Sequence, residues 1–375
     1  MTIHFILPGY APDAVGGYRV VYDYALAIQK SGWEDVIVYH SPWPLLRSPR
    51  TLSGRAVAGL LYRVAKSWID KPSRRGVPWY PETKHLQMRF TLGAPRIRVS
   101  ATDAVIATAA HTAPFVLKIQ RDAVAVYFIQ HVETWSAGED FVASTWQLPL
   151  SRIVIAPWLR AYGESLGVES QLVLNAIDGR AFAKGPPLVD RGRRVVSMMS
   201  PLPFKRADLI IDAFSRLHAA DPDIDLVAFG AHRRPTTLPD YVSYIQSPGR
   251  AELANLYASS RVYLCASDAE GWHLPPGEAL MCGTAVASTD IGGVRVVAGD
   301  DALYSPPGDA ASLAASALRL LDDPELAQRL VDGGESRLRS YSPVAAAAAF
   351  YEALDEARSI HAPARRQDKM SGESP

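Results

Sequence analysis

Ile3-His-Phe-Ile-Leu7, then Gly16-Gly-Tyr-Arg-Val-Val-Tyr-Asp-Tyr-Ala-Leu-Ala-Ile-Gln29, then Val36-Ile-Val-Tyr39: the choice of fold lies in these three runs. The first and third are short, apolar and rich in β-branched residues, as strands covered on both faces are. The middle run repeats apolar residues at helical spacing behind a glycine pair. Strand, glycine loop, helix, strand is the order from which parallel sheets are built. Further runs of the same kind stand at Ala104-Val-Ile-Ala107, Val124-Ala-Val-Tyr-Phe-Ile129 and Ile153-Val-Ile155. A second series opens at Val195-Val-Ser-Met-Met199 and continues through Leu226-Val-Ala-Phe229, Val262-Tyr-Leu-Cys265 and Thr284-Ala-Val-Ala287, with helical patterns at 207–217 and 250–259 between them. The glycine, the proline pair and the charges of 182–192 predict a linker between the two series. The expected architecture is α/β, with two doubly wound, Rossmann-like domains at 1–181 and 193–341. Ser342-Pro343 offers an N-cap with proline at the first helical position, opening an alanine-rich helix over 342–359, and the polar residues 360–375 are expected to form a disordered tail.

Composition narrows the function classes. A chain of 375 residues that is 48% hydrophobic can bury a large core and is long enough for two domains. Lys and Arg number 39, Asp and Glu also 39, so no global field draws the chain to nucleic acid. The two cysteines are Cys265, inside an apolar run, and Cys282, beside an expected helix end. That placement predicts buried thiols in a reducing cytoplasm, with neither a disulfide framework nor a metal cluster. Ile3 follows the first residues without a basic leader or a cleavage site, and no apolar run approaches the roughly 18 residues of a membrane span. A cytoplasmic protein without a spanning helix is the expectation.

One segment breaks the rhythm. Residues 45–100 carry twelve Lys/Arg against two acids, Asp70 and Glu82. Within it Val57, Leu60, Leu61, Val64, Trp68 and Ile69 fall on one face of a helix, with Arg55, Arg63 and Lys66 elsewhere around it. Such a helix lies in the headgroup layer of an anionic bilayer, or packs on the domain as an ordinary surface helix with solvated charge; the pattern admits both.

Two motifs carry chemistry. Gly16-Gly17, behind Gly9 in the first loop, lets backbone N–H groups approach a phosphate at a helix N-terminus, yet G-x-G-x-x-G is absent after Leu7 and no acidic residue ends Val36-Ile-Val-Tyr-His40, so this is not the dinucleotide fingerprint. The second motif is Ala269-Glu-Gly-Trp-His-Leu-Pro-Pro-Gly-Glu-Ala-Leu-Met-Cys-Gly283. Its proline pair keeps Glu270 and Glu278 off a common helical face: Glu270 is expected on the loop leaving the strand that ends at Cys265, and Glu278 in the first turn of a short helix that ends before Gly283. A carboxylate beside a helix N-terminus at the carboxyl end of a parallel strand is where α/β sheets bind ligands. A helix-dipole charge for Glu278 and a solvated loop acid for Glu270 are the plainer alternatives.

Glu270-x7-Glu278, within Ser267-Asp-Ala-Glu-Gly-Trp-His-Leu-Pro-Pro-Gly-Glu-Ala-Leu-Met-Cys-Gly-Thr-Ala-Val286, resembles the donor-site signature of retaining, nucleotide-sugar-dependent glycosyltransferases of the GT-B fold, the family 4 group. Gly16-Gly17, Leu174-Asn-Ala-Ile-Asp178 with Phe182, Lys205, Ser288-Thr-Asp-Ile-Gly-Gly293 and Pro306-Pro-Gly-Asp309 follow in that group's order. The opening Pro8-Gly9-Tyr-Ala-Pro12 and Val15-Gly-Gly-Tyr-Arg-Val-Val-Tyr-Asp-Tyr24 look most like bacterial enzymes that transfer rhamnose or related sugars. The resemblance implies two facing domains with a cleft between them and a C-terminal helix crossing back. It implies that the second domain binds a nucleotide diphosphate sugar and the first the acceptor. Carried over by position, Glu278 would accept from the ribose hydroxyls, and Glu270 with the backbone N–H groups of Gly271, Trp272, His273 and Leu274 would hold the donor sugar. Lys205 would face the diphosphate, Gly16 and Gly17 would line the donor site, and His131 would stand at the reaction centre, or simply close a buried strand.

Three positions depart from the family pattern. Ser200 replaces an arginine five residues before the lysine, leaving one cation fewer, with Arg206 as a candidate substitute. Trp272-His273 replaces the usual phenylalanine and glycine, and Val296 stands where a glutamate is common. The expected function is hexosyl or deoxyhexosyl transfer with retention to a glycan, lipid-linked or small-molecule acceptor. It is expected to need no cofactor and no metal, since no Asp-x-Asp clamp stands where GT-A enzymes carry one, and to occur in the cytoplasm or peripherally at the membrane's inner face. A nucleotide-sugar-binding protein with a decayed site and a nucleotide-sugar 2-epimerase are the alternatives.

Overall fold

The computed structural model describes residues 1–11, 13–42, 76–91, 94–119 and 122–371. The helix read at 52–70 in the basic segment lies outside the described residues. The chain divides into two units, Met1–Leu174 with Pro343–Pro375, and Asn175–Ser342.

The first unit is a seven-stranded parallel sheet in the order β3-β2-β1-β4-β5-β6-β7. Its strands are β1 (Thr2–Leu7), β2 (Asp35–His40), β3 (Gln87–Phe90), β4 (Ala104–Ala107), β5 (Val124–Ile129), β6 (Ser151–Val154) and β7 (Gln171–Leu172). Strand β3 comes from the basic segment and pairs in parallel with β2, Ile37 opposite Gln87. The helix Gly16–Ser31 turns Val20, Val21, Tyr24, Ala25 and Ile28 inward, the stripe its sequence spacing predicts.

The helix Pro343–Ser371 belongs to this first unit although it follows the second in sequence. Phe350 explains why. Its fully buried ring stacks on Tyr24 at 4.6 Å and meets Phe128 at 5.1 Å and Phe5 at 6.0 Å, so one side chain ties the helix to β1, β5 and the first helix. Burial of that size contributes about 2–3 kcal/mol. The helix also runs through residues 360–371, which the composition marked as a disordered tail; Ala, Arg, Gln, Lys and Met there are good helix formers that a reading of polarity alone passes over.

The second unit is a six-stranded parallel sheet in the order β10-β9-β8-β11-β12-β13. These are β8 (Arg194–Met198), β9 (Asp225–Gly230), β10 (Ser243–Gln246), β11 (Val262–Cys265), β12 (Ala285–Thr289) and β13 (Leu303–Ser305). Both units therefore wind outward from a switch point, between β1 and β4 in the first and between β8 and β11 in the second. The loops leaving such paired strands flank the crevice in which α/β sheets bind ligands. No helix among the described residues is long and apolar enough to cross a membrane.

The stretch 182–192, read as a linker, is packed into the second unit. Phe182 is fully buried, and the guanidinium of Arg191 donates to the carbonyls of Ser260 at 2.7 Å, Cys282 at 2.9 Å and Pro186 at 2.9 Å. Glycine, proline and charge there serve a tightly satisfied turn, and the division between units falls earlier, after Leu174.

Candidate functional site

Lys205 and Glu270 are 65 residues apart and meet because each leaves a strand that borders the switch point. A short turn, Pro203–Lys205, follows β8 and presents Lys205; the loop after β11 presents Glu270. The Lys205 ammonium donates to Glu270 Oε1 at 2.5 Å. The hydroxyl of Ser267 donates to the same oxygen at 2.8 Å, and Nδ1 of His273 lies 3.2 Å from it. Two donors and the imidazole contact thus converge on Oε1, and no described residue is seen donating to Oε2. Ser267 is itself placed from the next strand, its carbonyl accepting from the Thr289 hydroxyl at 2.5 Å.

The loop is pinned from outside by Gly293. A Cβ at that position would stand 2.5 Å from the Glu270 carbonyl oxygen and 2.6 Å from Glu270 Cβ, so only glycine fits. The carbonyl of Gly293 in turn accepts from the His273 N–H at 3.1 Å. Among the backbone N–H groups of Gly271 to Leu274, that of His273 is thus engaged within the fold.

Burial alone would push the Glu270 carboxyl up; the charges of His273 and Lys205 outweigh it and hold the group well below the usual carboxylate range. His273 shows the reverse balance. Burial pushes its imidazole down, while the Glu270 carboxylate and the Cys265 sulfur carry it up to about 9. The imidazolium also draws the buried Cys265 thiol down against its desolvation. At neutral pH the Glu270 carboxylate therefore faces two cations, Lys205 and His273, and His273 is shared with the Cys265 sulfur.

Glu278 sits on the helix Leu274–Met281 and is buried. It is the fifth helical residue and not a member of the first turn: Pro275 and Pro276 are tolerated in that turn, where an N–H has no intrahelical partner, so the helix starts earlier than the proline pair led one to expect. Its charge, behind burial, helps push the Cys282 thiol up to about 12. Gly283 closes the helix at φ +78°, a left-handed conformation that favours glycine. The two carboxylates thus stand on separate elements of one unit, loop and helix.

Trp272 and His273 are both buried, 5% and 3% exposed, so the bulky pair points into the unit, with the His273 imidazole against Glu270. Arg206 does not make up for Ser200. Its guanidinium is matched by Asp208 at 2.9 Å and Asp268 at 3.2 Å. Val296 lies in the helix Gly292–Ala298. An Asp-x-Asp pattern does occur in Asp221-Pro-Asp-Ile-Asp225, but at the amino end of β9, opposite the ligand-binding edge, where Asp221 pairs with Arg193 at 3.1 Å and Asp225 with Arg194 at 2.6 Å.

Gly16, Gly17 and His131 belong to the first unit. Gly16 and Gly17 open its first helix, and the Gly17 carbonyl accepts from Gln130 at 3.0 Å. His131 leaves β5 with its ring edge-on to Trp135 at 4.4 Å and to Trp158 at 5.6 Å. Sequence reasoning gave no place at the site to Ser267, Thr289 or Cys265, which the structure brings to the Glu270 loop. Ser267 and Thr289 stand in the recognised motifs and were within reach; the part of Cys265 is legible only once the His273 side chain is placed.

Residues 193–323 match the family model described as Glycosyl transferases group 1. The chain is 32% identical over 158 residues to an MMP alpha-(1->4)-mannosyltransferase of Mycolicibacterium hassiacum, covering 39% of this chain and 38% of that protein. It is 26% identical over 207 residues to a phosphatidyl-myo-inositol mannosyltransferase of Mycolicibacterium smegmatis, covering 51% of this chain and 53% of the relative. The match therefore spans about half or less of those relatives' length. Among solved structures, sucrose-phosphate synthase from Thermosynechococcus elongatus superposes with a TM-score of 0.69 at 15% identity, over 95% of this chain and 98% of the other. HepE of Anabaena, solved with UDP and glucose, gives a TM-score of 0.69 at 13% identity, over 95% and 100%. The second unit thus carries a glycosyl transferases group 1 domain, in a chain with the GT-B fold.

Proposed function

We propose that the protein is a glycosyltransferase that moves a hexose or deoxyhexose from a nucleotide diphosphate sugar to an acceptor hydroxyl with retention at the anomeric carbon. The observation that carries this reading is the cluster on Glu270. With Oε1 taken by Lys205, Ser267 and His273, Oε2 is the atom left to accept from a hydroxyl of the donor sugar. An arriving diphosphate competes with Glu270 for the Lys205 ammonium, while His273 keeps the buried carboxylate compensated. The cations of the cluster, Lys205 and His273, have the sign that offsets the charge growing on the leaving group. Glu278 is assigned to the ribose, the backbone at Gly271, Trp272 and Leu274 to the sugar, and Gly16, Gly17 and His131 to the first unit's share of the reaction.

A carboxylate neutralised by two cations is a poor nucleophile, which favours front-face attack. The acceptor hydroxyl forms the new bond as the bond to phosphate breaks, and the departing phosphate oxygen takes the hydroxyl proton. Trapping a sugar covalently on Glu270, or finding an inverted product, overturns that mechanism. Mannose leads among donor sugars because the curated relatives bear mannosyltransferase names. Metal independence is part of the proposal, and full activity in excess chelator tests it.

The deciding experiment is a thermal-shift panel of UDP, GDP, dTDP and their sugars, since a ligand of the native state raises the melting temperature. Glu278→Ala is expected to abolish most of the nucleotide shift. Glu270→Ala is expected to keep it and lose at least tenfold in turnover. Wild-type behaviour of both variants sinks the assignment, and calorimetric binding without turnover across donors and acceptors points to a binding protein. A lipid-linked acceptor goes with membrane docking of the basic segment 45–100, a soluble acceptor without it; liposome co-sedimentation with and without residues 52–70 separates the two.

A further inference from the structure

At the carboxyl end of the first unit's sheet, two side chains that the donor chemistry does not use stand beside His131. Glu133 follows β5 by four residues, and its Oε2 accepts from the Ala110 N–H at 2.8 Å. Ala110 lies just beyond β4, one of the two strands at the switch point, so this bond spans neighbouring strand ends where an α/β sheet takes its ligand. A backbone N–H fixes one carboxylate oxygen, and no described residue is seen donating to Oε1. Burial pushes the carboxyl up to about 7 against that hydrogen bond, and the Tyr127 phenol of β5 is the titratable group that senses its charge. Two residues on, Trp135 leaves 46% of its surface exposed, an unusual amount for an indole, while its ring rests on His131 and His131 on Trp158. The support beneath Trp135 holds the exposed ring in place.

We propose that Glu133 and Trp135 form an acceptor subsite for a pyranose ring, the indole stacking on the ring's C–H face and the carboxylate taking a hydroxyl. A ring with an apolar face and a polar rim is the ligand that matches an exposed, rigid aromatic plane beside a pinned carboxylate. The proposal rests on the glycosyltransferase reading and adds the chemical class of the acceptor: a sugar, in preference to an acyclic polyol or a bare phosphate.

Saturation-transfer NMR on the full chain tests it, with methyl glycosides of α-mannose, α-rhamnose, β-glucose and β-galactose as probes and glycerol and inorganic phosphate as controls. At least one pyranoside is expected to bind saturably, and glycerol and phosphate not to compete with it. Trp135→Ala is expected to weaken that binding at least fivefold, Trp135→Phe to retain most of it, and Glu133→Gln to weaken it at least threefold. All variants should keep the wild-type thermal shift with nucleotide, which also reports that they fold. If no pyranoside binds while nucleotide does, or if Trp135→Ala and Glu133→Gln bind like the wild type, the subsite is wrong and the donor reading stands. If nucleotide fails to bind the wild type, it is the donor reading that fails.

Discussion

Replacing His273 by alanine probes the physical basis of the site without reference to any substrate. In the unfolded chain a histidine titrates near 6.5, and in the native cluster His273 is carried up to about 9. A change of one in pKa is worth about 1.4 kcal/mol, so preferential protonation of the native state stabilises it by about 3 kcal/mol. The sign follows from the direction: the folded group holds its proton more tightly, so the contribution is complete below pH 6.5 and disappears as pH rises through about 9. The variant lacks this contribution, and it also loses a constant amount from the packing of the ring. Urea or thermal unfolding of both proteins between about pH 6 and pH 10 separates the two effects. The gap between wild type and His273→Ala should be widest at the acid end and narrow by about 3 kcal/mol at the alkaline end. For a domain of this size that is a narrowing of roughly 6–12 °C in melting temperature, at about 2–4 °C per kcal/mol. A gap that stays constant across this range means that His273 is neutral throughout, and its assignment as a cation on Glu270 is then wrong.

Three further substitutions test other links. Gly293→Ala forces a methyl group against the Glu270 backbone at 2.5 Å, so it should cost about 1–3 kcal/mol and lower turnover at least tenfold by moving the loop; a melting curve and kcat check both parts. Phe350→Ala empties the space between Tyr24, Phe128 and Phe5 and should cost about 3–5 kcal/mol by denaturant unfolding, whereas a helix resting loosely on the first unit would lose far less. Arg191→Ala leaves the buried carbonyls of Ser260 and Cys282 without their donor and should cost about 3 kcal/mol by the same measurement, a result that a true linker at 182–192 would not give.

Legibility of the fold followed burial. Among the described residues, the nine strands that announce themselves as apolar runs are all interior to their sheets, covered on both faces and so continuously apolar. The four that do not are β3, β7, β10 and β13, and these are the four sheet edges. Edge strands are short and half exposed: Gln87–Phe90 alternates exposed with half-buried residues, Ser243–Gln246 is exposed at both ends, and Gln171–Leu172 is only two residues long. A run with so little to bury has no hydrophobic signature to read. The packed turn at 182–192 misled for a related reason. Its stability comes from one arginine satisfying carbonyls contributed from residues 260 and 282, and nothing local marks such a partner.

The site was legible in a different way. Nothing in spacing joins Lys205 to Glu270; it is the strand order, with β8 beside β11, that brings their loops together, so the pair is a property of topology. Family pattern supplied what spacing lacked, and the places where this chain departs from that pattern then become informative as a set. Ser200 removes a cation ahead of Lys205, and Arg206 does not restore it because Asp208 and Asp268 match its charge. His273, where the pattern has glycine, brings a cation back from the other side of the site, on Glu270. The first position lacks a cation, and the second supplies one on a residue that loses its proton near pH 9 where an arginine would not. On the donor reading proposed above, the two departures amount to one rearrangement, in which the cation missing at position 200 is answered by an imidazole whose charge falls away as pH rises through about 9.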